Sequence, residues 1–225
     1  MNSIKMVVFD MAGTTVDEQN VVYKTVHKAI EKHGVSVDLE TVLKVGAGKE
    51  KLKAIVDVLD YINVDNVDAN LVFADFKAML DKAYDTLDVK PIEGVDITML
   101  KLKEKGVIVV LNTGYNSRIA NALVNKLNWE KGIHYDALIT ASDVKKGRPS
   151  SEMIDLAMEM FNITDSKVVL KAGDSAIDIE EGKNAKCGVT VGVLSGAQTK
   201  EQIEVAGPDY IIDSLATLEE EVLSK

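Results

Sequence analysis

Read for its apolar and polar positions, the chain opens with a short apolar run, Ile4, Met6, Val7, Val8 and Phe9, that stops at Asp10 and is followed by Ala12-Gly13 and two threonines. A run so short and rich in β-branched residues predicts a buried strand that carries a carboxylate to its mouth. After Asp17 the period changes. Val21, Val22, Thr25, Val26, Ala29 and Ile30 recur at helical spacing, and Gly34 stands where a glycine cap ends a helix. A second stripe runs from Leu39 to Leu59, broken by Gly46 and Gly48, and a third from Ala69 to Leu87 through Val72, Phe76, Met79, Leu80, Ala83 and Tyr84. Residues 18–88 are therefore expected to form a wholly helical bundle.

From Lys90-Pro91 onward, helical patterns and short apolar runs take turns. Strands are predicted at Val107 to Leu111, Ala137 to Thr140, Val168 to Lys171, Val189 to Val193 and, more weakly, Tyr210 to Ile212. Helices are predicted at Val95 to Lys105, Ser117 to Leu127, Ser150 to Phe161, Ala176 to Lys186 and Lys200 to Ala206. Repeated βα units imply an α/β fold, a doubly wound parallel sheet with helices on both faces and ligands at the carboxyl ends of its strands. The first strand finds no partner in the helical block, so it must join the later sheet. The expected division is a core of residues 1–17 and 89–225 with residues 18–88 inserted after the first strand.

Composition narrows the function. The chain has 225 residues, 46% hydrophobic and 28% charged, enough for one α/β core plus a small accessory domain. A net charge of −10 argues against binding to a nucleic-acid backbone, but allows a small anionic substrate in a locally positive pocket. Cys187 is the single cysteine, in a mostly apolar stretch that fits a packed thiol. No signal core precedes the first strand and no apolar run is long enough to span a bilayer, so cytoplasmic residence is the expectation.

The polar residues at the strand ends are complementary. One strand is followed by Asn112-Thr113-Gly114-Tyr115, the next by Ser142-Asp143 and Lys145-Lys146-Gly147-Arg148-Pro149, and another by Ala172-Gly173-Asp174, with Asp178 one helical turn later. In a doubly wound sheet these ends sit side by side, bringing Asp10, Asp174 and Asp178 together with a hydroxyl, a cation and exposed amides. Oxygen-only ligands of this kind suit Mg²⁺. A bound phosphoryl group would have its charge spread over cation and amides while a carboxylate attacks phosphorus in line.

Those residues resemble the haloacid dehalogenase superfamily of aspartate-nucleophile hydrolases, through Asp10 in DMAGTT, Thr113 in LNTGY, Arg148 in KGRPS, and Asp174 with Asp178 in GDSAID. The resemblance covers nearly the whole chain and implies a Rossmann-like core with a mobile helical cap. It implies that Asp10 is the nucleophile and a Mg²⁺ ligand, with Ala12, Asp174 and Asp178 completing the metal set. By the same resemblance Thr113 and Arg148 hold the phosphoryl oxygens, and amides near Ala12, Gly13 and Gly114 finish the cradle.

One departure is informative. Most phosphatases of the superfamily place an acid two residues after the nucleophile to protonate the leaving alkoxide; this chain has Ala12. DMAGTTVDE, with TGY and GRP, resembles instead the phosphonatase branch, phosphonoacetaldehyde hydrolase and its relatives, in which a cap lysine forms a Schiff base with the aldehyde so that P–C cleavage releases an enamine. Aligning on Ala54-Ile55 puts Lys51 in that slot, and aligning on Gly46 puts Lys49 there; Lys51 is the first choice. The plainer reading of both is a solvated helix face. The alternatives are a phosphomonoester phosphatase in which another group replaces the missing acid, and a phosphate-sensing module without turnover. The partner expected is a small phosphorylated or phosphonate metabolite, and the branch implies a homodimer through the cap. His27, His33 and His134 have no second ligand at metal spacing, Asp17 and Glu18 suit helix capping, and Trp129 suits packing.

Overall fold

The computed structural model describes residues 4–47, 49 and 51–224. Its chain order is β1 (Met6–Asp10), β2 (Val16–Asp17), α1 (Val21–Lys32), α2 (Leu39–Gly46), α3 (Lys51–Tyr61), α4 (Ala69–Thr86), β3 (Lys90–Pro91), α5 (Val95–Glu104), β4 (Ile108–Thr113), α6 (Ser117–Lys126), β5 (Ala137–Thr140), α7 (Glu152–Met160), β6 (Val169–Gly173), α8 (Ala176–Asn184), β7 (Val189–Val193), α9 (Lys200–Glu204) and β8 (Tyr210–Ile212). Six strands form one parallel sheet in the order β5-β4-β1-β6-β7-β8, so the first strand lies near the middle of a sheet otherwise built by the second half of the chain. Met6, Val7, Val8 and Phe9 are fully buried, which is why β1 reads as a continuous apolar run rather than an alternating one. Each such side chain contributes roughly 1.5–3 kcal/mol of burial.

Two strands run further toward the site than the apolar pattern predicts. β4 continues past Leu111 through Asn112 and Thr113, and β6 continues past Lys171 through Ala172 and Gly173. These residues stay in the ladder because backbone partners are present: Asn112 is in register with Asp10 on one side and Ile139 on the other, Thr113 with Thr140, and Gly173 with Gly192. Val107, Val168 and the predicted ends of several helices fall just outside the observed elements.

The chain divides into two compact units. One ends at Asp17 and resumes at Val89; the other is Glu18–Asp88. In the first unit, β2 and β3 pair antiparallel, Val16 opposite Pro91 and Asp17 opposite Lys90, a small ribbon that the hydrophobic pattern does not show. In the second, the described residues form four helices and no strand. Gly34 follows α1 in a left-handed conformation, φ 79°, as a glycine after a helix does. Asp38 and Asp68 cap α2 and α4 by accepting from the amides of Thr41 and Asn70. Gly48, one of the two expected helix breakers, lies outside the described residues. No described helix is long and apolar enough to cross a membrane.

Candidate active site

β1 ends at Asp10, which is only 4% exposed, and the chain reverses at once. The amides of Thr14, Thr15 and Val16 all donate to the Met11 carbonyl, at 3.2, 2.9 and 2.8 Å, and the Thr15 hydroxyl donates back to the Asp10 carbonyl at 3.0 Å. Gly13 makes this turn possible. Its φ is 75°, and a Cβ there would lie 2.6 Å from Oδ2 of Asp174 and 2.8 Å from Cα of Gly196. Ala12 and Gly13 thus belong to a tight turn wrapped around the mouth of β1.

Asp174 follows β6 directly, and Asp178 lies in the first turn of α8. Asp10, Asp174 and Asp178 each offer a carboxylate oxygen within 4.8 Å of the others, the one such acidic grouping among the described residues. The loop after β7, which leaves no mark in the hydrophobic pattern, holds this group in place. After β7, Ser195 donates to the Gly13 carbonyl at 2.8 Å, and the amide of Ala197 donates to Oδ2 of Asp174 at 2.8 Å. Gly196 packs so closely that a Cβ would stand 2.0 Å from that same oxygen.

Arg148 joins the group from the loop after β5. Its Nη1 donates to Oδ1 of Asp10 at 2.6 Å and lies 2.9 Å from Oδ1 of Asp178. Two further buried charges stand behind it. Lys171 in β6 places Nζ 2.9 Å from Oδ1 of Asp178, and Glu181 in α8 accepts from Nε of Arg148 at 3.0 Å. Lys171, Glu181 and Asn112 are all fully buried. Gly182 lets α8 approach this closely: a Cβ there would meet Lys171 at 2.9 Å. Neither Lys171 nor Glu181 emerges from the hydrophobic pattern, since one sits in an apolar strand and the other beside Glu180. The one sequence signal is the i, i+3 spacing of Asp178 and Glu181, which puts both on one helix face.

Four carboxylates, Asp10, Asp174, Asp178 and Glu181, share this interior with two cations, Arg148 and Lys171, so full ionisation leaves an excess of two negative charges. Burial first, and the neighbouring charges after it, set the pKa shifts. Burial raises Asp10 above the usual carboxylate range despite Arg148. Burial, with Asp10 and Asp178 alongside, pushes Asp174 up to about 8. At Asp178 the burial effect is outweighed by Arg148 and Lys171, and its pKa falls. The donor set is all oxygen and short of two positive charges, which fits a divalent hard cation such as Mg²⁺.

The remaining expected residues fall as follows. Thr113 ends β4, buried, with its hydroxyl accepting from the amide of Tyr115 at 3.2 Å, and Gly114 follows it, exposed. Lys145 and Lys146 are exposed; their amides donate to Glu152, which anchors the loop that delivers Arg148. Lys51 begins α3 in the helical unit, its amine 5.0 Å from the centroid of the Tyr23 ring and donating to the Lys49 carbonyl at 2.7 Å. Lys49 pairs with Asp57 at 2.5 Å, and Lys53 shares that carboxylate. Cys187 is buried, and burial lifts its thiol to about 12, so it is a packing residue.

The sequence pattern of the haloacid dehalogenase-like hydrolases matches residues 7–192, most of the chain. The chain belongs to this family. It is 29% identical to the phosphonoacetaldehyde hydrolase of Lactiplantibacillus plantarum, over 96% of this chain and 94% of that protein. It is also 29% identical to a bifunctional phosphonoacetaldehyde hydrolase/aminoethylphosphonate transaminase of Clostridioides difficile, where it covers 96% of this chain but spans only 39% of that protein's length. A crystal structure of a phosphonoacetaldehyde hydrolase-like protein from Oleispira antarctica superposes with a TM-score of 0.80 at 23% identity, over 99% of this chain and 92% of the other, a likeness of fold. The protein is a hydrolase whose sequence resembles the phosphonatase branch of that family.

Proposed function

We propose that this hydrolase is Mg²⁺-dependent and cleaves the P–C bond of phosphonoacetaldehyde or a similar small carbonyl phosphonate. The observation that carries the choice is Ala12, an apolar residue where a phosphomonoesterase of this family needs an acid. The relatives named phosphonoacetaldehyde hydrolase support it. Asp10, Asp174 and Asp178, with the backbone at Ala12, would hold Mg²⁺, which when bound supplies positive charge to the phosphoryl oxygens. The Gly13 amide, expected in the phosphoryl cradle, instead donates to the Val16 carbonyl at 2.9 Å and belongs to the turn. Thr113 and the amides of Ala12 and Gly114 would hold the phosphoryl group, with Arg148 reaching it through Nη1, the nitrogen it shares between Asp10 and Asp178. The helical unit serves as the cap that shields it from water.

In this scheme the amine of Lys51 condenses with the substrate aldehyde, releasing water and forming a protonated imine. A carboxylate oxygen of Asp10 attacks phosphorus, the P–C bond breaks, and its electron pair moves into the iminium to give an enamine. Water then cleaves the aspartyl phosphate to free phosphate and Asp10, while the enamine takes up a proton and its imine hydrolyses to acetaldehyde and Lys51. Lys51 is taken for this role because alignment on Ala54-Ile55 puts it in the Schiff-base slot. Borohydride added with phosphonoacetaldehyde should trap a covalent adduct on the peptide that holds Lys51, and Lys51→Ala should release no phosphate. No adduct, with full turnover in both Lys51→Ala and Lys49→Ala, overturns the scheme; turnover of simple phosphate esters alone replaces it with a phosphomonoesterase.

A further inference from the structure

Asn112, Lys171 and Glu181 take no part in the chemistry above, yet all three polar side chains are withdrawn from solvent. Burying such groups is costly unless each finds partners; here Asn112 and Glu181 both meet Arg148, and Lys171 meets Asn112 and Glu181. The guanidinium uses all three of its nitrogens. Nε donates to Oε2 of Glu181 at 3.0 Å, and Nη2 donates to the carbonyl and Oδ1 of Asn112 at 3.0 and 2.7 Å. Nη1 is the nitrogen on Asp10.

The donors and acceptors allow one arrangement. Glu181 only accepts, so Asn112 presents its NH₂ to it, at 2.9 and 3.0 Å from the two carboxylate oxygens. Arg148 and Lys171 only donate, so the amide oxygen of Asn112 faces them, with Nζ of Lys171 at 2.9 Å. Lys171 also lies 3.3 Å from Oε2 of Glu181. Because a guanidinium is rigid and planar, fixing Nε and Nη2 leaves Nη1 no freedom of aim.

We propose that Glu181 is a positioning residue: through Nε it sets the plane of the Arg148 guanidinium so that Nη1 alone meets the nucleophile, with Asn112 and Lys171 holding Glu181 in turn. The inference rests on Asp10 being the nucleophile and is indifferent to which phosphorus compound the enzyme takes.

The test is a double-variant cycle on the Mg²⁺-loaded protein, with phosphonoacetaldehyde and p-nitrophenyl phosphate as probes. Glu181→Gln should lower kcat about 10²-fold with KM within about threefold, the signature of a misaimed group rather than lost affinity. Arg148→Lys cannot span both partners, so Arg148→Lys/Glu181→Gln should be no slower than Arg148→Lys alone. Losses that multiply in the double variant, or an undiminished kcat in Glu181→Gln, overturn the proposal. If Glu181→Gln does not fold, Glu181→Asp, which keeps the charge but withdraws it by one methylene, enters the same cycle. A crystal structure of the folded variant decides the matter even if neither probe is turned over: Nη1 displaced from Asp10 supports the proposal, and an unmoved guanidinium overturns it.

Discussion

Nη1 of Arg148 donates to Oδ1 of Asp10 across 2.6 Å, both side chains being nearly buried. The same guanidinium meets Asp178 and Glu181, so its removal leaves four buried carboxylates facing Lys171 alone. Arg148→Ala is therefore expected to cost about 3–5 kcal/mol of stability, read from urea unfolding, besides its loss of turnover.

Asp10→Asn removes the proposed nucleophile but keeps an oxygen for Arg148 and reduces the crowding of negative charge. Turnover should fall by at least about 10³-fold. Thermal unfolding should show no loss of stability, because burial already disfavours the Asp10 charge in the folded state.

Gly196→Ala would place a methyl 2.0 Å from Oδ2 and 2.3 Å from Cβ of Asp174, and the Asp174 side chain must move. Calorimetry should show Mg²⁺ binding weakened by about tenfold or more. The same change at Gly147, where nothing lies within 4 Å of the added carbon, should leave binding intact.

Asp174 gives a pH dependence of definite sign. Its proton is held up to about pH 8 in the folded protein but is lost near 3.8 when the chain unfolds. Between those values the folded state binds the extra proton, so this group's contribution to stability falls as pH rises through the window. The Mg²⁺ proposed for this site would require the ionised form and displace that proton. Its affinity should climb from pH 6 to pH 8 and level off above, with proton release on binding measurable at pH 6 and absent at pH 9. A flat profile would show that Asp174 is already ionised without the ion.

The parallel core, the helical block and the acidic trio were legible because each leaves a local mark: a change of period, or a polar residue abruptly ending an apolar run. Lys171 was hidden for the opposite reason. It lies inside such a run, and a lysine there is indistinguishable from a strand's exposed end until Asn112, Asp178 and Glu181 are seen around it. Glu181 and Glu180 are neighbours in sequence; only the phase set by Asp178 separates the buried one from the exposed one. The clamp on Asp174 was beyond reach, since it is the main-chain amide of Ala197 that donates and any residue type supplies one.

The ribbon of Val16–Asp17 against Lys90–Pro91 brings the exit and re-entry points of the inserted segment side by side. A hairpin-length splice could bridge them without rethreading the sheet. The same junction would accept an insert of another length, because the ribbon closes the core before the inserted segment begins.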